Sequence, residues 1–391
     1  MREKVILSGL GVLTAAGDDS TSSLVTFQES VRPPVVQLSL EGLEQTFPMF
    51  AVQGEDIPVV DRTFDLALRA TCQALADAGL NQLPPGFRLG VCVGTTVACQ
   101  LNDIPFYRSY RETGQPPLEP VHRFIAGSLA ERLAEAVGAE GPVMTVVNAC
   151  SSGTDAAGVA CSWLNANLCD AVIVGGADEL STIPSSGFLA LSVMSPALCT
   201  PFDRDRQGLN LGEGAGIAIL ERRDSARQRG RSLALEVAGF GAAADGYHLT
   251  APHPEGLGIE RAIRMALADA GIQPEAIDFV NAHGTSTREN DRIEGNALAR
   301  VFGSSLRVVS TKGYTGHTLG AAGGVELVFT ALALREGWIP ANIGFNNQDE
   351  EIPFAPLTEV TPLVREYAIS TSLAFGGNNA AVVLRRVEEG A

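Results

Sequence analysis

Along this chain, apolar runs of strand length alternate with alanine-rich, helix-like stretches. Residues 144–147, 171–174 and 306–309 are of the first kind. Their alternation with helices predicts parallel β-α-β connections with helices on both faces of a sheet, which is an α/β fold. Two helix-like stretches, 64–78 and 259–270, close on the same hexapeptide, Ala-Leu-Ala-Asp-Ala-Gly, at 74–79 and 266–271. Gly79 and Gly271 stand where a helix C-terminus favours a left-handed residue. Each copy leads to a strand, 89–93 or 277–281, and each strand opens into small residues, Gly94-Thr95-Thr96 or His283-Gly284-Thr285-Ser286.

Fainter echoes extend the repeat. Residues 5–11 match 235–241 in pattern, and 212–223 match 375–386. Several echoes in one order point to duplicated halves, 1–225 and 226–391, the first carrying an insertion. The charged segment 220–231 reads as a solvated helix joining them.

Composition narrows the function. With 391 residues the chain suits two or three packed units, and 45% hydrophobic against 19% charged residues describes a globular protein. A net charge of −17 excludes a general nucleic-acid binder. No window offers the roughly 18 uninterrupted apolar residues of a membrane helix, and Met1-Arg2-Glu3-Lys4 runs into a strand instead of a signal segment. A cytoplasmic protein is expected. Seven cysteines, at 72, 92, 99, 150, 161, 169 and 199, form no CxxC pair and read as reduced, mostly buried side chains. The five histidines include no HExxH, and His248 and His253 share a proline-rich loop, so no metal site is expected.

Chemistry concentrates at three points. Around Cys150 the apolar run 143–147 passes through Asn148-Ala149-Cys150-Ser151-Ser152-Gly153 into the alanine-rich stretch 154–164. That order places Cys150 in a tight turn at a helix N-terminus. There, unpaired N–H groups and the positive dipole end favour thiolate over thiol and can receive an oxyanion. Most cysteines are small core residues, and the other six are read that way. Cys150 differs because small residues flank it in a strand-to-helix elbow with room for a bulky acyl chain. His283 ends a strand in Val280-Asn-Ala-His-Gly-Thr-Ser-Thr287, and His317 lies in a loop, Ser310-Thr-Lys-Gly-Tyr-Thr-Gly-His317. In a repeated α/β chain such loops at strand ends are where catalytic groups gather. The turn Gly212-Glu-Gly-Ala-Gly216 lacks dinucleotide-binding spacing and precedes a strand-like run, so it does not suggest a nucleotide site.

At these residues the chain resembles the elongating β-ketoacyl-acyl-carrier-protein synthases, over nearly all of its length. The cysteine elbow, His283-Gly-Thr-Ser-Thr287, Ser310-Thr-Lys-x-x-Thr-Gly-His317 and the closing Phe375-Gly-Gly-Asn-Asn379 come in family order, as do Pro201-Phe-Asp-Arg-Asp-Arg206 and Asp245-Gly-Tyr-His-Leu-Thr250. The resemblance implies the thiolase fold, two similar α/β halves stacked as five layers (α-β-α-β-α), normally in a homodimer, with a heterodimer with a related synthase-like subunit as the alternative. It implies that Cys150 accepts the acyl group, while His283 and His317 bind the malonyl thioester carbonyl, assist decarboxylation and stabilise the enolate. Lys312 and Glu326 would support that histidine pair, and Thr285 and Thr287 would hold the pantetheine arm. Phe375 would be the gate, its N–H joining that of Cys150 in an oxyanion hole. The implied reaction is a decarboxylative Claisen condensation with malonyl-carrier protein, in fatty-acid, polyketide or polyene synthesis. It needs no metal or redox cofactor, because the substrates ride on the phosphopantetheine arm of acyl-carrier protein.

Some positions depart from the family pattern. Gln207 and Leu209 replace an acid and a phenylalanine, Leu373-Ala374 replaces Phe-Gly before the gate, and the loop from Gly94 to Tyr107 lacks a glycine-rich run. These bear on the gate, the acyl pocket and chain-length preference, and an alanine for a glycine stiffens its loop. A thiolase would need a second cysteine near the C-terminus, and none follows Cys199; an initiating synthase would carry asparagine where His317 stands. A different class, the non-catalytic chain-length partner of a ketosynthase heterodimer, typically lacks the nucleophile. Because acyl-carrier proteins are acidic, docking on a chain of charge −17 requires a local basic patch. Arg62 and Arg69, two turns apart on one helix face, resemble the family's docking residues in placement.

Overall fold

The computed structural model describes residues 4–39, 45–53, 60–96 and 103–387. Residues 1–3 of the charged N-terminus, Cys99 and the stretch 97–102 of the loop after Gly94 lie outside the described residues. Ten strands carry the fold. The first half supplies β1 (Val5–Thr14), β2 (Leu89–Gly94), β3 (Val143–Val146), β4 (Ala171–Asp178) and β5 (Gly214–Arg222). The second supplies β6 (Leu235–Ala244), β7 (Ile277–Asn281), β8 (Val308–Val309), β9 (Tyr367–Ala374) and β10 (Asn378–Arg386).

Strand order repeats between halves. The first runs β3-β2-β4-β5-β1 and the second β8-β7-β9-β10-β6, with the same strand directions at each joint. Among the described residues the two five-stranded sheets pair only where Val5 meets Val237 and Ile6 meets Glu236. Helices α1 (Arg62–Asp77) and α2 (Leu129–Val137) cover the outer face of the first sheet, and α5 (Leu257–Ala270) that of the second. Between the sheets lie α3 (Ser152–Asn165) and α8 (Ala322–Glu336), which touch each other and strands of both halves. The result is five layers, α-β-α-β-α. Helix α8 is buried at every position from Ala322 to Leu334, as a helix walled in on all sides must be. Gly153 lets α3 approach α8 closely, since a Cβ there would stand 2.5 Å from the Gly324 nitrogen.

The expected parallel connections hold for β2, β3 and β4 and for β7, β8 and β9. The sheets as a whole are mixed: β5 runs antiparallel to β4 and β1, and β10 to β9 and β6. The cause in the second half is the short link 375–377, where Gly376 and Gly377 take φ of 87° and 77° and reverse the chain. The first half spans the same joint with 179–213, part of its insertion, which forms α4 (Thr182–Ala190) and the loop beside the site. The junction is also less solvated than expected: Arg229 pairs with the buried Glu221 at 2.9 Å and lies over the Phe87 ring. Cys72, on α1, is exposed, whereas Cys92, Cys150, Cys161, Cys169 and Cys199 are buried, and all six are free thiols.

Candidate active site

Cys150 occupies a strained elbow between β3 and α3. Ala149 has φ of 50°, in the left-handed region that costs a non-glycine residue about 1 kcal/mol. Hydrogen bonds hold the turn: the Asn148 N–H donates to Ser152 Oγ at 2.8 Å, and Asn148 Nδ2 and Ser151 Oγ both donate to Asp155 Oδ2. Strained geometry that is braced in this way presents the sulfur at a fixed point.

His283 follows β7, and its loop hangs on two carboxylates of α6 (Arg288–Phe302). Glu294 accepts the N–H groups of His283 and Gly284, each at 2.8 Å, and the Thr371 hydroxyl at 2.7 Å. Asp291 accepts the N–H of Ser286 at 3.0 Å and of Phe202 at 2.8 Å. Both are fully buried. Their role was not read from the sequence, although acids three apart on a helix directly after the His-Gly-Thr-Ser-Thr segment were the available signal. His317 follows the short helix α7 (Lys312–Thr315); its N–H donates to Asn210 O at 2.8 Å, and its carbonyl accepts from Gly212 N at 3.0 Å.

These loops bring the expected residues together. Cys150 Sγ lies 3.1 Å from His317 Nε2. The rings of His283 and His317 are 5.1 Å apart at 89°. Lys312 Nζ is 3.2 Å from His283 Nδ1 and contacts Glu326 Oε1 on its other side. All five side chains are at most 4% exposed.

Burial governs the protonation states. Both imidazoles are held well below the usual histidine range, first by desolvation and then by the Lys312 charge, and are therefore neutral. Nδ1 of His283 accepts from Lys312, so its proton sits on Nε2. The Cys150 thiol is pushed up to about 11 by desolvation, against the opposing Lys312 charge and the Phe375 N–H directed at its sulfur. This corrects the thiolate expectation. At this buried position desolvation outweighs the helix N-terminus, and the resting group is a thiol facing a neutral histidine. Glu326 is raised to about 7 by the same burial, with Lys312 opposing.

A cavity of about 410 Å³ opens onto Cys150 and both histidines. Thr285 and Thr287 line it with their hydroxyls 3.0 Å apart. Phe375 stacks on Phe188 at 5.3 Å beside His317. Gln207, Leu209, Leu373 and Ala374, four of the positions that depart from the family pattern, all face the same space. Ala374 is the last residue of β9 and pairs with Asn378, so the freedom of this turn resides in Gly376 and Gly377. Among the described residues no cluster of three or more His, Cys, Asp or Glu side chains could hold a metal ion. None of their helices is long and apolar enough to cross a membrane.

Arg62 does not fit a docking role. Its guanidinium turns inward and binds both carboxylate oxygens of Glu213, which is 2% exposed. Arg69 stays at the surface, paired with Asp65 at 2.7 Å. An inward ion pair at one position and an adjacent acid at the other account for the difference.

Duplicated α/β halves with a cysteine and two histidines converging between them define a thiolase-fold protein. Residues 40–226 match the model of the β-ketoacyl synthase N-terminal domain and residues 234–346 that of the C-terminal domain. The chain is 33% identical over 408 residues to Nodulation protein E of Rhizobium sp. (strain N33), covering 99% of this chain and 100% of that protein. It is 32% identical over 411 residues to 3-oxoacyl-[acyl-carrier-protein] synthase 2 of Staphylococcus aureus (strain COL), covering 99% of each. The solved ishigamide ketosynthase/chain length factor superposes with a TM-score of 0.91 at 30% identity, over 99% of this chain and 100% of that one. The chain belongs to the β-ketoacyl synthase family.

Proposed function

We propose that this protein is a catalytic β-ketoacyl-acyl-carrier-protein synthase, which extends a Cys150-bound acyl group by decarboxylative condensation with malonyl-carrier protein. The observation that carries this reading is the 3.1 Å approach of Cys150 Sγ to Nε2 of a neutral His317, with His283 at right angles in the same cavity. In loading, the sulfur attacks the acyl thioester carbonyl. The thiol proton passes through His317 Nε2 to the departing pantetheine sulfur, and the N–H groups of Cys150 and Phe375 receive the charge that grows on the carbonyl oxygen. Malonyl thioester then loses carbon dioxide. The electron pair of the broken C–C bond becomes an enolate, stabilised by Nε2–H donors of His283 and His317, and forms the new bond to the acyl carbon. Cys150 departs as thiolate and takes one proton from solvent, the proton that the condensation consumes overall. Nδ1 of His317 finds no partner among the described residues, so neither tautomer is locked: the ring holds its proton on Nδ1 while Nε2 takes the thiol proton, and shifts it to Nε2 for condensation.

In this reading Lys312 fixes the His283 tautomer, Glu326 balances the Lys312 charge, and Thr285 and Thr287 bind the pantetheine arm. No metal or redox cofactor takes part. The alternative of a non-catalytic chain-length partner finds no use for a cysteine paired with a neutral histidine. The protein is proposed to act in the cytoplasm as a homodimer, joined along β3, an edge strand whose Val143 and Met144 are exposed. The test is to incubate purified protein with a panel of acyl-carrier proteins, follow loading by intact mass, and then add malonyl-carrier protein. Loading with β-ketoacyl product supports the reading; no loading from any donor sinks it.

A further inference from the structure

One buried acid beside the site takes no part in the chemistry above. Asp178, the last residue of β4, is inaccessible to solvent. Its carboxylate accepts the Thr95 hydroxyl at 2.8 Å, the Thr96 N–H at 3.0 Å and the Gly320 N–H at 2.7 Å. Thr95 and Thr96 follow β2 in the first half. Gly320 belongs to the second half, three residues after His317, in the 3₁₀ turn Leu319–Ala321 that opens α8. The turn is strained, because Leu319 has φ of 55°. It is also tightly seated: a Cβ on Gly320 would fall 2.7 Å from the Thr95 carbonyl carbon and 2.8 Å from Asp178 Oδ2.

We infer that Asp178 is a positioning residue which, reaching from the first half, pins the strained turn behind His317 and so fixes His317 Nε2 against the Cys150 sulfur. Three donors converge on one carboxylate, and replacing it leaves donors facing donors in a dry site. A misplacement of about 1 Å at the reacting groups costs on the order of a hundredfold in rate.

The inference rests on the condensing role proposed above, and its test uses Asp178→Asn and Thr95→Val in the full chain. For Asp178→Asn, kcat for condensation should fall about tenfold to a hundredfold with little change in KM for malonyl-carrier protein. Alkylation of Cys150 by iodoacetamide at a fixed pH should remain measurable, because the nucleophile itself is untouched. Thr95→Val keeps the charge and removes one donor, so its kcat should fall less and its alkylation rate should stay near wild type. Unchanged kcat in Asp178→Asn overturns the positioning role. If Asp178→Asn fails to fold, Thr95→Val decides, and an unaltered kcat there refutes the positioning role. Alkylation requires no turnover, so failure of the condensing role itself would appear separately, as an inactive wild type with a reactive Cys150.

Discussion

Lys312 Nζ stands 3.2 Å from Nδ1 of His283, with the Glu326 carboxylate on its opposite side. The contact fixes which nitrogen of His283 carries the proton, and it places a positive charge near the Cys150 sulfur. Lys312→Met keeps the side-chain length and removes both effects. Condensation is expected to fall about a hundredfold, the size typical of losing one preorganised electrostatic contact, while acyl loading persists. Rates of malonyl-dependent product formation and of loading, measured separately, check this.

The same charge predicts how the thiol responds to pH. With Cys150 pushed up to about 11, only a small thiolate fraction exists near neutrality. Alkylation should therefore rise about tenfold per pH unit between about pH 7 and 10, with no plateau. Lys312→Met removes a group that lowers the thiol, so the curve should move to higher pH and the rate at any one pH should fall. A wild-type plateau near pH 7 would contradict a protonated resting thiol.

Removing the sulfur separates loading from folding. Cys150→Ala should abolish acyl loading and condensation, yet leave the thermal unfolding midpoint within a few degrees of wild type, since a small buried residue replaces another. Intact-mass detection of an acylated Cys150→Ala protein would exclude Cys150 as the acceptor.

The histidines should divide differently. His283→Ala is expected to suppress condensation at least a hundredfold while loading remains measurable, because Cys150 contacts His317 and not His283. His317→Ala should slow both steps, since it removes the acceptor of the thiol proton. Equal loading rates in the two variants would show that His317 does not receive that proton.

Arg62 and Arg69 should respond unequally to charge reversal. Arg62→Glu leaves the buried Glu213 beside another acid and should cost on the order of 3 kcal/mol. Arg69→Glu disturbs an exposed i,i+4 pair and should cost less than about 1 kcal/mol. Urea denaturation of the two variants tests the contrast.

What the sequence revealed follows from where chemistry meets pattern. Cys150 and His283 were legible because each ends an apolar strand run and begins a run of small residues, and His317 because its loop follows the same kind of run. The repeat was legible because α1 and α5 close on one hexapeptide. Asp178, Asp291 and Glu294 were not legible as site residues. Asp291 and Glu294 lie in a polar stretch, which normally marks solvent, and Asp178, although it ends the apolar run of β4, is followed by Glu179-Leu180 and not by the small residues that single out Cys150 and His283; only the folded loops show N–H groups converging on these carboxylates. Arg62 misled for the related reason that helical spacing gives a residue's face but not its partner: Glu213 lies 151 positions away. The raised thiol was missed because a helix N-terminus can be read from local sequence, whereas depth of burial depends on the whole fold.

The two sheets share a single hydrogen-bonded joint, yet α3 and α8 lie pressed between them, and one continuous apolar cluster runs from Val5 and Ala156 to Val328 and Leu384. Neither repeat is therefore self-sufficient. A fragment ending after β5 would leave the second-half side of α3 bare, and a fragment beginning at β6 would leave α8 stripped on its first-half side. Although it descends in pattern from two copies of one unit, the chain behaves as one cooperative body. The reacting groups sit on the seam between copies, so they come into register only when both have folded.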